Sequence, residues 1–88
     1  MGFKLMLEKK AVKDLENIDP SVAKRIIKKL QWFAEQPDIS PFIVKMKQPA
    51  SGDVRFRIGD YRAVGIIVQK QSMLVILSVG HRSEIYRR

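Results

Sequence analysis

The apolar positions of this chain change period about half-way along it. Phe3 to Leu7 alternates weakly and predicts a short first strand. From Glu8 to Ile18 the apolar residues Ala11, Leu15 and Ile18 recur at three- and four-residue intervals, the spacing of one helical face. Asp19-Pro20 then supplies an N-cap, followed by a proline whose fixed φ and missing N–H suit the first helical position. In the helix that follows, Val22, Ile26, Ile27, Leu30, Phe33 and Ala34 form one apolar stripe. Lys24, Arg25, Lys28 and Lys29 lie largely off that stripe, as a solvated face does. Pro37 ends the helix, and Pro41 is expected to keep the next segment extended.

Beyond this point the period is two. Val54, Phe56 and Ile58 alternate with Arg55 and Arg57, and Gly59-Asp60 is a two-residue turn with glycine first, as a type II′ hairpin requires. Tyr61 to Val68 reads as the partner strand, Gln69 to Ser72 as a polar turn, and Met73 to Val79 as a third strand. That third strand is almost wholly apolar, which predicts a central place in the sheet. The order β-α-α-β-β-β predicts one α+β domain over residues 1–88. Both helices should pack on one face of an antiparallel sheet.

Composition narrows the chemistry. Cysteine is absent, which removes disulfides and thiolate nucleophiles, and one histidine argues against an all-protein zinc site. No metal and no small-molecule cofactor is expected. Met1 to Leu7 is too short an apolar run for a signal peptide and is followed by Glu8-Lys9-Lys10. No stretch reaches membrane-spanning length, so a cytoplasmic protein without a membrane partner is expected.

The net charge of +8 points to a polyanion, because phosphate binding releases condensed counterions. The excess is uneven. Residues 1–39 carry eight Lys/Arg against six Asp/Glu, whereas residues 40–88 carry nine against three.

The hairpin register shows where that excess concentrates. With Gly59 and Asp60 alone in the loop, Ile58 faces Tyr61 and Arg57 faces Arg62, and Arg55 lies two residues along the same face. Like charges directly opposite repel, so three guanidinium groups on one patch serve folding poorly. They suit phosphate, since each can bind two oxygens in parallel. With Val68 facing Met73, Arg62 faces Val79, and Gly80-His81-Arg82 begins just beyond. Arg55, Arg57, Arg62, His81, Arg82 and Tyr86 are thus expected at one end of the sheet, unless a one-residue slip turns part of the set over. Lys45 and Lys47, before Pro49, are further candidates for phosphate binding.

Four segments in sequence resemble RelE-type toxins of the RelE/ParE superfamily. They are Ala11-Val12-Lys13-Asp14-Leu15, Arg25-Ile26-Ile27-Lys28-Lys29-Leu30, Val54 through Arg62, and Val79-Gly80-His81-Arg82-Ser83-Glu84-Ile85-Tyr86. The resemblance implies a fold related to the small microbial ribonucleases. It also implies a toxin of a type II toxin–antitoxin system that cleaves mRNA in the ribosomal A site. Attack of a ribose 2′-oxygen on the adjacent phosphate would leave a 2′,3′-cyclic phosphate and a free 5′-hydroxyl. The roles implied are phosphate binding for Arg55 and Arg57 and catalysis for Arg62, Arg82 and Tyr86. His81 is the only side chain here whose ordinary pKa lies near neutrality, and it is a candidate acid or base as well as a phosphate ligand. The implied partners are mRNA, the ribosome and a cognate acidic antitoxin of the RelB type.

Two departures stand out. Many relatives carry a bulky residue on the strand after the hairpin arginine where this chain has Gly65, and with Arg88 as the last residue no long C-terminal helix is expected over the site. Two other readings compete. A ParE-like protein would share the fold and poison DNA gyrase without cutting nucleic acid. A non-enzymatic RNA-binding module would expose aromatic residues on the sheet, for which Tyr61 and Phe56 are the candidates and Phe56 should face the helices. Trp32 and Phe33 read as core or antitoxin contacts.

Overall fold

The computed structural model describes residues 2–42 and 53–81. Its elements are β1 (Lys4–Leu7), α1 (Lys9–Glu16), α2 (Pro20–Glu35), β2 (Asp53–Ile58), β3 (Tyr61–Val68) and β4 (Met73–His81). Single 3-10 turns occupy Ser40–Phe42 and Gln69–Gln71. The first contains Pro41, so this proline tightens a turn instead of extending the chain. Its fixed φ is compatible with either, and the Phe42 N–H donates back to the Ile39 carbonyl at 2.9 Å.

Helix α2 begins as its sequence dictates. Pro20 takes the first turn, and the Asp19 carboxylate accepts from Ser21 Oγ at 2.8 Å and from the Ser21 N–H at 2.9 Å. These two bonds, the hydroxyl first, hold the Asp19 carboxyl below its ordinary value. Helix α1 has no side-chain cap and only eight residues, too few to persist alone. Tertiary packing holds it, through the buried side chains of Ala11 and Leu15.

The strand order is β1-β4-β3-β2. β4 is central, as its apolar run predicts, and β2, β3 and β4 form the expected antiparallel meander. β1 lies parallel to β4, which makes the sheet mixed. Period-two patterning locates a strand but carries no direction. Here β1 must deliver the chain into the helix layer, and it fills the side of β4 that β3 leaves open. Its pairing ends at Leu7 opposite Ile76. Further along, the Glu8 N–H donates to the Ile76 carbonyl and the Val79 N–H donates to Asp14 Oδ2, both at 2.9 Å. Asp14 thus caps a sheet edge from α1, and it also pairs with Lys10 at 3.0 Å.

Phe56, Ile26, Leu30, Leu74 and Ile76 are fully buried between helices and sheet. Each such side chain contributes roughly 1.5–3 kcal/mol on burial. The Phe33 and Phe56 rings stack at 4.9 Å and join α2 to β2.

The hairpin register is the expected one, with Ile58 opposite Tyr61 and Arg57 opposite Arg62. Gly59 has φ +60°, and Ser72 is the one non-glycine residue with positive φ among those described. Asp60 is therefore on the ordinary side, which makes the turn type II′. Val68 faces Met73, also as expected. Between Val64 and Gly65 the register shifts, because β4 carries one extra residue, Leu77, between Ile76 and Ser78. Arg62 therefore faces Gly80, and Val79 faces Ala63, where Arg62 opposite Val79 was expected. Gly65 sits at this bulge. A Cβ there would stand 2.6 Å from the Val75 carbonyl oxygen and 3.1 Å from Ile76 Cδ1. The glycine is thus required for two backbones to approach. Gly65 pairs with Val54 and Ile76 on the core side, away from the arginines.

Candidate functional site: an arginine face and a tyrosine–histidine pair

Val54, Phe56 and Ile58 are buried toward the helices, so Arg55 and Arg57 project from the opposite, outer face of the sheet. Arg62, directly opposite Arg57, projects from the same face. The three arginines therefore share one patch, as the register predicts. Two differ sharply in exposure: Arg57 is open to solvent, whereas Arg62 is only 4% exposed. The Arg62 Nη1 group donates to the Tyr61 carbonyl at 3.1 Å and to the Gly59 carbonyl at 3.4 Å, holding the turn against its own strand.

His81 stands at the same end of the sheet but on the other face. It pairs with Tyr61, which in turn pairs with Ile58 on the helix side. The Tyr61 and His81 rings meet edge to face, 5.6 Å apart at 80°. The bulge causes this. Without Leu77 as an extra residue, Arg62 would pair with Val79 and His81 would share the arginine face; one added residue turns it over. His81 and Tyr61 instead line a pocket of about 210 Å³ with Asp14, Asn17, Ile18 and Val79. Asp14 and Asn17 were not legible here from the sequence, since Asp14 meets Val79 across 65 positions.

Arg82 and Tyr86, and Lys45 and Lys47, lie outside the described residues. Among the described residues no three His, Cys, Asp or Glu side chains gather as a metal site would need. No helix of the described residues is long and apolar enough to cross a membrane.

Known proteins give the fold a family. The chain resembles the toxin–antitoxin complex RelBE2 of Mycobacterium tuberculosis with a TM-score of 0.80, at 20% identity over 93% of this chain and 100% of the other. It resembles the intact Escherichia coli RelBE complex with a TM-score of 0.72, at 21% identity over 90% of this chain and 95% of the other. A conserved hypothetical protein of Helicobacter pylori matches with a TM-score of 0.65, at 26% identity over 94% of this chain and 98% of the other. No curated protein matches the sequence significantly. These likenesses establish a RelE-like fold. Residues 5–86 match the family described as the ParE toxin of the type II toxin–antitoxin system parDE. With that match covering nearly its whole length, the chain belongs to the ParE toxin family of the RelE/ParE superfamily.

Proposed function

We propose that this toxin cuts mRNA, with the outer arginine face of the hairpin holding the backbone at the scissile phosphate. The observation that carries this reading is the opposition of Arg57 and Arg62, with Arg55 on the same face. Opposed like charges cost the sheet a few tenths of a kcal/mol, up to about 1 kcal/mol. An anion between them turns that repulsion into binding. In the proposed reaction the 2′-hydroxyl loses its proton and its oxygen attacks the adjacent phosphorus. The bond from phosphorus to the 5′-oxygen breaks, and that oxygen gains a proton. Negative charge grows on the phosphoryl oxygens along the way, and one well-placed charged donor there is worth about 2.7–4 kcal/mol. Arg62, preorganised by its bonds to the turn, is the donor assigned this task, and Arg82 is the second. Tyr86 is assigned to the 2′-hydroxyl. Arginine does not deprotonate, so Arg55 and Arg57 bind phosphate and transfer no proton. The charge is the protein's own and calls for no metal ion. His81, across the sheet, is not assigned a proton transfer at this phosphate.

The setting proposed is the ribosomal A site in the cytoplasm. The proposed regulator is an acidic antitoxin: structures of RelE-type toxins with RelB antitoxins share this fold, and the charge of +8 favours an acidic partner.

A second reading has its own support. The matched family is described by the ParE toxin, and Arg62 spends Nη1 on its own backbone, as a purely structural arginine does. A gyrase poison on this scaffold would need no arginine face. Inducing the protein in cells while mapping mRNA 5′ ends and assaying DNA supercoiling separates the two. Cuts inside translated frames with unchanged supercoiling support the nuclease. Intact messages with gyrase-dependent DNA breaks support the poison. Cuts that persist when translation is blocked keep the nuclease and remove the ribosome.

A further inference from the structure

On the helix side of the hairpin, α2 and the ends of β2 and β3 enclose a cleft of about 550 Å³. Arg25 and Lys29 line it from α2, Arg57 from β2 and Tyr61 from β3, above an apolar floor that includes Ile26. Asp60 is the one acid among its lining residues. Arg25 and Lys29 are exposed and four residues apart, a like-charge pair that does nothing for the helix itself. Lys29 is held in place, its Nζ 4.7 Å from the centre of the Trp32 ring.

Two features of this cleft point to one class of occupant. Arg25 and Lys29, with Arg57 at the edge that the cleft shares with the outer face, outnumber the one acid, which selects an anion. The half-buried Tyr61, braced edge-on by His81, stands where this cleft meets the smaller pocket that it also lines. A cation row that ends on an aromatic face is how single-stranded nucleic acid is held: charge for the phosphates, a ring for a base. An acidic peptide would use the cations but has no need of the ring. The cleft is also continuous with the arginine face, because Arg57 sits on the edge strand β2 and belongs to both.

We propose that the cleft between α2 and the hairpin is a second RNA-binding surface, in which Arg25, Lys29 and Arg57 hold phosphates of the single strand and Tyr61, supported by His81, stacks on one base. It carries the message around the edge of β2, from the outer face to the helix side. The inference rests on the RNA-cutting reading, and names where flanking nucleotides of that same message run.

The test is binding of a non-cleavable 2′-O-methyl oligouridine to the full-length protein, followed by fluorescence anisotropy across a salt series. The exposed double variant Arg25→Gln, Lys29→Gln keeps good helix-forming residues at both positions. It should flatten the dependence of log affinity on log salt by about 1.4, at roughly 0.7 per lost phosphate contact on a single strand. Between 50 and 200 mM salt it should therefore lose about sevenfold less affinity than the wild type. Tyr61→Leu should weaken binding at least about fivefold with the salt slope unchanged. An unchanged slope in the double variant overturns the second surface, as does wild-type affinity in Tyr61→Leu. If the wild type binds RNA and loses it in Arg55→Ala but not in the double variant, only the second surface falls. If the wild type binds no RNA, both readings fall. If an oligoglutamate displaces the RNA as well as unlabelled RNA does, the cleft belongs to an acidic protein segment and the proposal is overturned.

Discussion

On the outer face of the sheet Arg57 and Arg62 stand directly opposite each other, and Arg62 is almost wholly buried and donates to the turn. On the helix side Arg25 and Lys29 stand in solvent, four residues apart on one helix. The charges are alike and their physical situations are not. A buried guanidinium is fixed before any ligand arrives, so it offers a preorganised dipole and charge, and its loss disturbs the fold. Exposed cations on a helix are screened, so they give affinity and salt dependence and little else. The first arrangement suits chemistry at one phosphate. The second suits holding a strand in passing.

Removing the buried arginine should have the strongest consequence. Arg62→Ala should lower cleavage about 10²–10³-fold, measured on a translated message, and should also lower the unfolding midpoint. If cleavage survives in the folded fraction, Arg62 only holds the turn. Arg57→Ala removes the exposed member of the opposed pair. It should weaken RNA binding while raising stability by a few tenths of a kcal/mol, because the opposed charge is gone. A loss of stability on denaturant unfolding would show that Arg57 supports the sheet.

The bulge that separates the two faces can be attacked directly. Gly65→Ala should destabilise by about 1–3 kcal/mol, since its Cβ would meet the Val75 carbonyl oxygen at 2.6 Å. Unfolding at wild-type denaturant concentration would mean that the strands part easily there. Asp14→Ala should cost about 1–3 kcal/mol by leaving the Val79 N–H without its acceptor, and Asp14→Asn should cost less, as its amide oxygen can still accept.

Features decided by neighbouring residues were legible in the sequence, and those decided by distant contacts were not. Asp19-Pro20 set the start of α2, and Gly59-Asp60 set the hairpin with Arg57 opposite Arg62, because both are decided by residues within a few positions. The direction of β1 and the face of His81 were not legible. Each depends on distant contacts: β1 on the free side of β4, and His81 on one extra residue, Leu77, accommodated where Gly65 lets the strands close. A period-two pattern does not announce a bulge, and one bulge divides the expected cluster between two faces.

The smallest effect expected is on pH. The Asp19 carboxyl is lowered by its bonds to Ser21. The stability it contributes is fully present above the ordinary value of 3.8 and is lost as pH falls through the lowered one. Asp19→Ala should flatten that part of the acid unfolding curve. An unaltered curve would show that the cap contributes nothing to the acid response.

If the arginine face acts on RNA, the chemistry of the product ends records it. Purified protein should be added to ribosomes translating a single message, and the new RNA ends analysed. Cuts are expected inside the reading frame that leave a 2′,3′-cyclic phosphate and a 5′-hydroxyl, and that disappear in Arg62→Ala. An intact message under conditions where the same protein traps gyrase on DNA would contradict an action of the arginine face on RNA.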